Sequence, residues 1–357
     1  MRLPMTGGAE GVVDQPHFCR MIDAYMAAGF RYFDTARVYL GGQSETALRE
    51  CLVKRYPRDS FVLTDKLSGS QFNTKADIRP LFQEQLTALG VEYLDCYLMH
   101  SMSAESYGKF TRLEAFSVAA ELKAEGKIRH LGISFHDKPE VLARILTEHP
   151  EIEVVQIQLN YIDYDDPSIQ SGAVYEVCRK FGKPVLVMEP VKGGALADLP
   201  PEADKLLRGL GGSSASYALR YAASFPGVMM VLSGMSDTAQ MADNLATMAD
   251  PQPLNQAELQ AVEAVRKILR SMDTVPCTGC RYCTPGCPRH IPIPDLFACL
   301  NTKRKYRDWN SDFYYNVHIK DHGRASDCIG CRQCERVCPQ HLNITELLKQ
   351  VTAAFEP

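Results

Sequence analysis

Seven short runs rich in β-branched and aliphatic residues recur along the first ~250 residues. They are Phe30 to Asp34, Phe61 to Thr64, Tyr93 to Met99, Ile128 to Ile133, Val154 to Gln158, Pro184 to Met188 and Met229 to Leu232. Between them lie segments with helical spacing of apolar positions: Phe18 to Ala28, Ile78 to Leu89, Arg112 to Ala124 and Val141 to Glu148, then Tyr175 to Phe181, Ala215 to Ala223 and Thr238 to Ala249. Strand followed by helix at this interval predicts parallel βαβ units. Met1 to Leu3 could supply the end of an eighth strand. Eight such units in this length predict an α/β fold, a (β/α)8 TIM barrel. The alternative, a doubly wound sheet, lacks the expected G-x-G-x-x-G after an early strand.

Leu254 to Met272 reads as one more amphipathic helix, with Leu259, Val262, Ile268 and Leu269 on its apolar side. Pro276 then opens a cysteine-rich region. A boundary near residue 274 is expected, giving a barrel with its C-terminal helix over 1–273 and a second domain over 274–357. The composition, 45% hydrophobic and 23% charged with net charge -4, is that of a globular protein. It gives no case for nucleic acid or an anionic membrane as partner. Lys303-Arg304-Lys305 reads as a solvated helix face. No charged start leads into an apolar segment, and the run Gly227 to Leu232 is too short to span a bilayer. A cytoplasmic protein is expected.

The cysteines change the picture. Thirteen of them would suggest disulfides only in an oxidising compartment, and their distribution points elsewhere. Cys277, Cys280, Cys283 and Cys287 precede Pro288 in a C-x2-C-x2-C-x3-C-P run. Cys328, Cys331, Cys334 and Cys338 repeat that run before Pro339. Cys19, Cys51, Cys96, Cys178 and Cys299 are scattered and read as small core residues. A 4Fe–4S cube needs four thiolates converging on its corners, and a C-x2-C-x2-C loop wraps three of them. Two structural zinc sites would leave the third cysteine of each triplet and both prolines unexplained. The stretch 277–345 resembles bacterial two-cluster ferredoxins. That resemblance implies one cluster on Cys277, Cys280, Cys283 and Cys338, and a second on Cys328, Cys331, Cys334 and Cys287. The long insert from Pro288 to Asp327, with a helix expected near Asp295 to Tyr306, is closer to helical ferredoxin-like iron–sulfur domains fused to larger enzymes.

In the barrel, Gly29-Phe30-Arg31-Tyr32-Phe33-Asp34-Thr35-Ala36, then Tyr39 and Gly42-Gln43-Ser44-Glu45, resembles the aldo-keto reductases. So do Leu63-Thr64-Asp65-Lys66, Tyr97-Leu98-Met99-His100 and Leu89-Gly90-Val91-Glu92-Tyr93-Leu94-Asp95. The resemblance covers residues 10 to 250 and implies a catalytic set of Asp34, Tyr39, Lys66 and His100. All four are expected at C-terminal strand ends, where barrel enzymes build their sites. Singly, each residue type is more often packing than chemistry; the four in order are not. Reducing a carbonyl needs a proton on oxygen as an electron pair reaches carbon. A free phenol ionises near pH ~10, too high for easy donation at neutral pH. Lys66 beside Tyr39 would lower that value, Asp34 would hold the lysine, and His100 would orient the carbonyl oxygen.

The resemblance also implies NAD(P)H, held by Ser134, Gln156, Ser233, Gly234, Ser236 and Asn244. The family's Asn after Ser134 and its stacking Tyr are absent here, with Met188 at the latter place. Gln240 stands where a cation normally grips the 2′-phosphate. Backbone amides at Gly193, Gly194 and near Ser236 offer a phosphate cradle, although turn and capping roles explain them equally well. Together these features describe an iron–sulfur oxidoreductase acting on a small carbonyl or alcohol, with electrons relayed by two 4Fe–4S clusters. A flavin or a redox partner protein would bridge one-electron clusters and hydride chemistry. Two rivals stand beside it: an NAD(P)H-dependent reductase with structural clusters, and a non-enzymatic electron carrier or scaffold. Substrate choice is expected to lie in the loops Ser101 to Phe110 and Ile162 to Ser171.

Overall fold

The computed structural model describes residues 2–7, 11–166, 169–271, 274–275, 277, 279, 281, 283–338 and 342–356. A small antiparallel hairpin comes first, β1 (Met5–Thr6) with β2 (Val12–Val13). Each of the seven expected runs then falls on one strand: β3 (Tyr32–Asp34), β4 (Val62–Ser68), β5 (Leu94–Met102), β6 (Ile128–Phe135), β7 (Val154–Gln158), β8 (Val185–Met188) and β9 (Val228–Val231), with β4, β5 and β6 running two to four residues further. They pair in chain order, every neighbour parallel, as a curled sheet with surrounding helices. This is the barrel arrangement, with seven ladder strands among the described residues. The eighth strand expected from Met1 to Leu3 is not formed by residues 2–4, and Met1 lies outside the described residues. Instead Leu3 is buried in the core, and the Asp14 N–H donates to the Pro4 carbonyl at 2.8 Å.

Parallel strands covered on both faces read as near-continuous apolar runs, which is why these segments were visible. Alternate residues divide between two cores. Tyr32, Cys96, Leu98, Val154 and Leu186 cluster with Val62, Met230 and Leu232 as the strand-only interior. Phe33, Leu63, Tyr97, Ile133, Val155 and Val187 join helical residues such as Ile22, Phe82, Leu122 and Ile145 in the larger layer. Gly132 faces the interior, where an added Cβ would lie 2.5 Å from the Val154 carbonyl and 2.7 Å from Leu98.

Four expectations change. The helix expected over Arg112 to Ala124 is two, Ala104–Arg112 and Ala115–Ala124, separated at Glu114 with φ 53. Most of the Ser101 to Phe110 stretch is therefore helical, started by Ser103, which accepts from the Ser106 N–H. In the helix Gln256–Ser271, Leu259 is 43% exposed, while Val265 is buried beside the expected Val262 and Leu269; Met272 lies outside the described residues. Cys19 and Cys51 are not independent core residues: they form a disulfide, their Cα atoms 4.6 Å apart where the helix Gln15–Ala27 packs on the segment Arg49–Val53.

Packing groups the chain into two compact units. The first comprises Met1–Asp165, Ile169–Pro190 and Ala218–Leu254; the second comprises Asp166–Ser168, Val191–Tyr217 and Asn255–Pro357. This division differs from a single cut near residue 274. Within the second unit the helices Pro201–Arg208 and Gln256–Ser271 pack together. Lys192 there meets Asp308 at 3.3 Å, both almost fully buried. The helices Ile293–Tyr306, Asn310–Ile319 and Ile344–Phe355 enclose its own core of Leu296, Phe297, Leu300, Tyr315, Leu348 and Val351. Among the described residues no helix is long and apolar enough to cross a membrane.

Candidate functional site

Strand alternation places Asp34, Lys66, His100, Ser134 and Gln156 on the interior face, toward the C-terminal ends of β3 to β7. Tyr39 arrives from the loop after β3. Its N–H donates to the Ala36 carbonyl at 2.9 Å, and the chain then takes φ of 52, 62 and 88 at Leu40, Gly41 and Gly42. Two glycines make that left-handed turn accessible. Thr35 and Ser44 hydroxyls, 2.7 Å apart and buried, tie the loop to the following helix Gln43–Leu48.

Lys66 is fully buried, and its ammonium donates to Asp34 Oδ1 at 2.5 Å, to the Thr35 carbonyl at 2.8 Å and to Tyr39 Oη at 3.3 Å. The other Asp34 oxygen accepts from Gln156 Nε2 at 3.0 Å. The Tyr39 and His100 rings meet edge to face, centroids 5.7 Å apart, and His100 Nδ1 lies 2.6 Å from Ser68 Oγ. Burial works against the Lys66 charge, yet Asp34 and Tyr39 outweigh it and hold its pKa above the ordinary value. For Tyr39 the expected lowering by Lys66 is present but does not win: burial dominates and the phenol pKa lies above that of free tyrosine. The phenol therefore rests protonated. Burial, reinforced by the Lys66 charge, drives His100 well below its usual value and His136 to about 4. Both imidazoles are neutral at physiological pH.

The expected nucleotide residues divide. Ser134 Oγ accepts the Ser101 N–H at 2.8 Å, and Ser101 sits at φ 55 directly after His100. Asn244 Nδ2 donates to Ser233 Oγ at 3.0 Å. Gln240 Oε1 accepts the Ser236 N–H at 2.8 Å, so that amide is engaged within its own loop. Gly234 packs against the Arg2 side chain, 3.1 Å from where its Cβ would be. Gly193 and Gly194 belong to the second unit, in a tight turn with φ 64 and 105 whose Gly194 N–H donates to the Val191 carbonyl. Capping and turn roles account for the amides of Ser236 and Gly194.

In the second unit Cys287, Cys328, Cys331 and Cys334 line one small cavity with Ile291, Ile293, Ile329 and Leu348. These four thiols are free, as is Cys338; Cys280 lies outside the described residues. Among the described residues no three His, Cys, Asp or Glu side chains meet closely enough for a single ion. Soft sulfur donors spread around an apolar cavity suit a multi-iron cluster.

Ser68 was missed, although it stands two residues beyond Lys66 on the same strand face, where alternation points to it. His136 stands two residues beyond Ser134. Its burial near Lys66 depends on the fold and had no local signal.

The model of the aldo/keto reductase family matches residues 4–267, and that of the 4Fe-4S dicluster domain matches residues 276–343. An NADH-specific methylglyoxal reductase of Escherichia coli (strain K12) is 30% identical over 186 residues, 47% of this chain and 54% of that protein. The chain thus spans about half the length of such a curated relative. The holo structure of aldo-keto reductase AKR11C1 from Bacillus halodurans is 26% identical with TM-score 0.60, over 74% of this chain and 91% of that one. An aldo-keto reductase from Klebsiella pneumoniae in complex with NADPH shares the fold at 20% identity and TM-score 0.58, over 74% and 90% of the two chains. With the family model spanning the whole of the curled sheet and its helices, the chain belongs to the aldo/keto reductase family.

Proposed function

We propose that the protein is an oxidoreductase that reduces a small carbonyl compound, or oxidises the corresponding alcohol, with Tyr39 as the proton donor. The observation that carries this reading is the buried Lys66 ammonium shared by Asp34, the Thr35 carbonyl and Tyr39 Oη, beside a neutral His100. When bound, a reduced nicotinamide supplies a hydride to the carbonyl carbon. As charge grows on the carbonyl oxygen, Tyr39 gives up its proton, because an alkoxide is a far stronger base than a phenolate. Lys66 stabilises the phenolate left behind, and solvent returns the proton. His100, held by Ser68, presents a neutral imidazole that orients the carbonyl without competing for the proton.

Ser134 and Gln156 are assigned to the nicotinamide end of the cofactor, and Ser233, Gly234 and Asn244 to its nucleotide end. The NADPH-bound and NADH-specific relatives support a nicotinamide. We assign the eight cysteines of the two C-x2-C-x2-C-x3-C-P runs to two 4Fe–4S clusters, with Cys287 serving the set of Cys328, Cys331 and Cys334 that it lines the cavity with. Such clusters would accept and release electrons singly, whereas a hydride carries the pair that one carbonyl reduction consumes, so a flavin or a redox partner protein would have to join the two. The test is consumption of NADH or NADPH by anaerobically purified protein with methylglyoxal and a panel of small aldehydes and ketones. Turnover of one class supports the reading; no nucleotide binding and no turnover would favour a cluster-bearing carrier.

A further inference from the structure

Behind Lys66, on the helix side of β4, lies a group of polar side chains that the proposed reaction does not touch. Thr35, Ser44, Glu45, Asp65 and Gln85 are each fully buried. Their position follows from where β3 stops. The β3–β4 ladder ends at Asp34–Thr64, so the Lys66 backbone has no neighbouring strand on that side. Side chains take its place. The Lys66 N–H donates to Asp65 Oδ1 at 2.7 Å, and Gln85 Nε2 donates to the Lys66 carbonyl at 3.0 Å. Gln85 Oε1 in turn accepts from the Tyr97 hydroxyl at 2.6 Å.

The remaining oxygens of Asp65 and Glu45 pose the question. Glu45 Oε2 accepts from Arg37 Nη1 at 2.8 Å. Glu45 Oε1 and Asp65 Oδ2 are buried without a well-formed hydrogen bond; the Gln85 amide also approaches the Glu45 carboxyl, and the two carboxyls are in hydrogen-bond contact with each other. Two carboxylates in dry contact repel, and each would carry an unsatisfied charge. One proton between them resolves both defects: Asp65 donates through Oδ2 to Glu45 Oε1 and keeps Oδ1 for the Lys66 N–H. The charged groups facing the pair agree with that placement. Burial raises the Glu45 pKa, and Arg37 in the Tyr39 loop opposes that by pairing with its charged form, with Glu84 of the helix Lys75–Leu89 at 3.8 Å from the other end of the guanidinium. Burial and the Glu45 charge push Asp65 well above the usual carboxylate range, against the weaker pull of Lys66.

We propose that Asp65 and Glu45 share a single proton, and that this acid–carboxylate pair is the positioning element that locks the Lys66 backbone to the Tyr39-bearing loop. The mechanical path is short. Arg37 is two residues before Tyr39, Glu45 lies in the first turn of the helix that follows it, and Asp65 precedes Lys66. One shared proton therefore joins the segment carrying the phenol to the strand carrying the ammonium that polarises it. The positioning role rests on the proposed function; the shared proton does not.

The test uses whole protein carrying Asp65→Asn, Asp65→Leu or Tyr39→Phe. Infrared spectroscopy of the wild type at neutral pH should show a protonated-carboxyl band that shifts in heavy water and disappears in Asp65→Asn. Absence of that band, or its survival in Asp65→Asn, would overturn the shared proton. Asparagine still donates to Glu45 and still accepts from the Lys66 N–H, so Asp65→Asn should keep turnover within about threefold. Leucine can do neither. Loosening Lys66 should cost up to about 10²-fold in kcat, the scale of a small misplacement. It should also raise the Tyr39 pKa, read as the tyrosinate absorbance missing in Tyr39→Phe. An Asp65→Leu protein with wild-type Tyr39 titration and kcat would overturn the positioning role. Should Tyr39→Phe itself leave turnover unchanged, the carbonyl-reduction reading fails while the infrared result still decides the proton.

Discussion

Lys66→Met removes the ammonium and leaves a side chain of similar length in the same buried space. Three contacts vanish: those to Asp34, the Thr35 carbonyl and Tyr39. Removing one partner of a buried ion pair costs about 3–5 kcal/mol, because the other charge is stranded. Asp34 is not wholly stranded: its side chain keeps 14% exposure and the Gln156 bond. The cost should fall near the lower end, about 3 kcal/mol. Urea unfolding followed by far-UV circular dichroism reads it as a midpoint lowered by about 1–1.5 M, for a slope of about 2–3 kcal/mol per molar. Adding Asp34→Asn removes the stranded charge, and the double variant should recover at least about half of the loss. A single variant as stable as the wild type, or a double variant whose losses simply add, would refute the coupling of Asp34 to Lys66.

Three further outcomes follow from the geometry. Cys287→Ser should lower iron from about eight to about four per chain, and adding Cys331→Ser should lower it no further, since both serve one cluster; complete loss in the double variant would place Cys287 with its own triplet. With Gln240 satisfying the Ser236 amide in place of a cation, NADH and NADPH should bind within about tenfold of each other by calorimetry, and a hundredfold preference for NADPH would contradict this. His100 and His136 are held neutral in the fold, so the stability they contribute is present above the unfolded value of 6.5 and is lost as pH falls toward their native values, about 4 for His136. His136→Gln should remove up to about 1.4 kcal/mol per pH unit of that acid slope in urea titrations, and an unchanged slope would show that His136 is protonated in the fold.

What could be read in advance was whatever local pattern controls. Buried parallel strands are apolar throughout, so all seven were found, and period-two alternation from Lys66 leads to Ser68. The helix Ala104–Arg112 hid because only Tyr107 and Phe110 are buried in a stretch rich in small and polar residues. Contacts made by packing were invisible. Cys19 and Cys51 are 32 residues apart, and the shared proton of Asp65 and Glu45 depends on where β3 stops. The sign of the Lys66 effect on Tyr39 follows from charge alone, but the net direction is set by burial, which only the folded barrel determines.

The proton-donor role of Tyr39 is tested most directly by Tyr39→Phe, assayed with whichever small aldehyde or ketone the wild type turns over. Phenylalanine keeps the ring against His100 and removes only the hydroxyl at 3.3 Å from Lys66. Circular dichroism and iron content should match the wild type, while kcat falls by about 10² to 10⁴, the worth of a positioned general acid. Full turnover by a folded, iron-replete Tyr39→Phe protein would contradict the account.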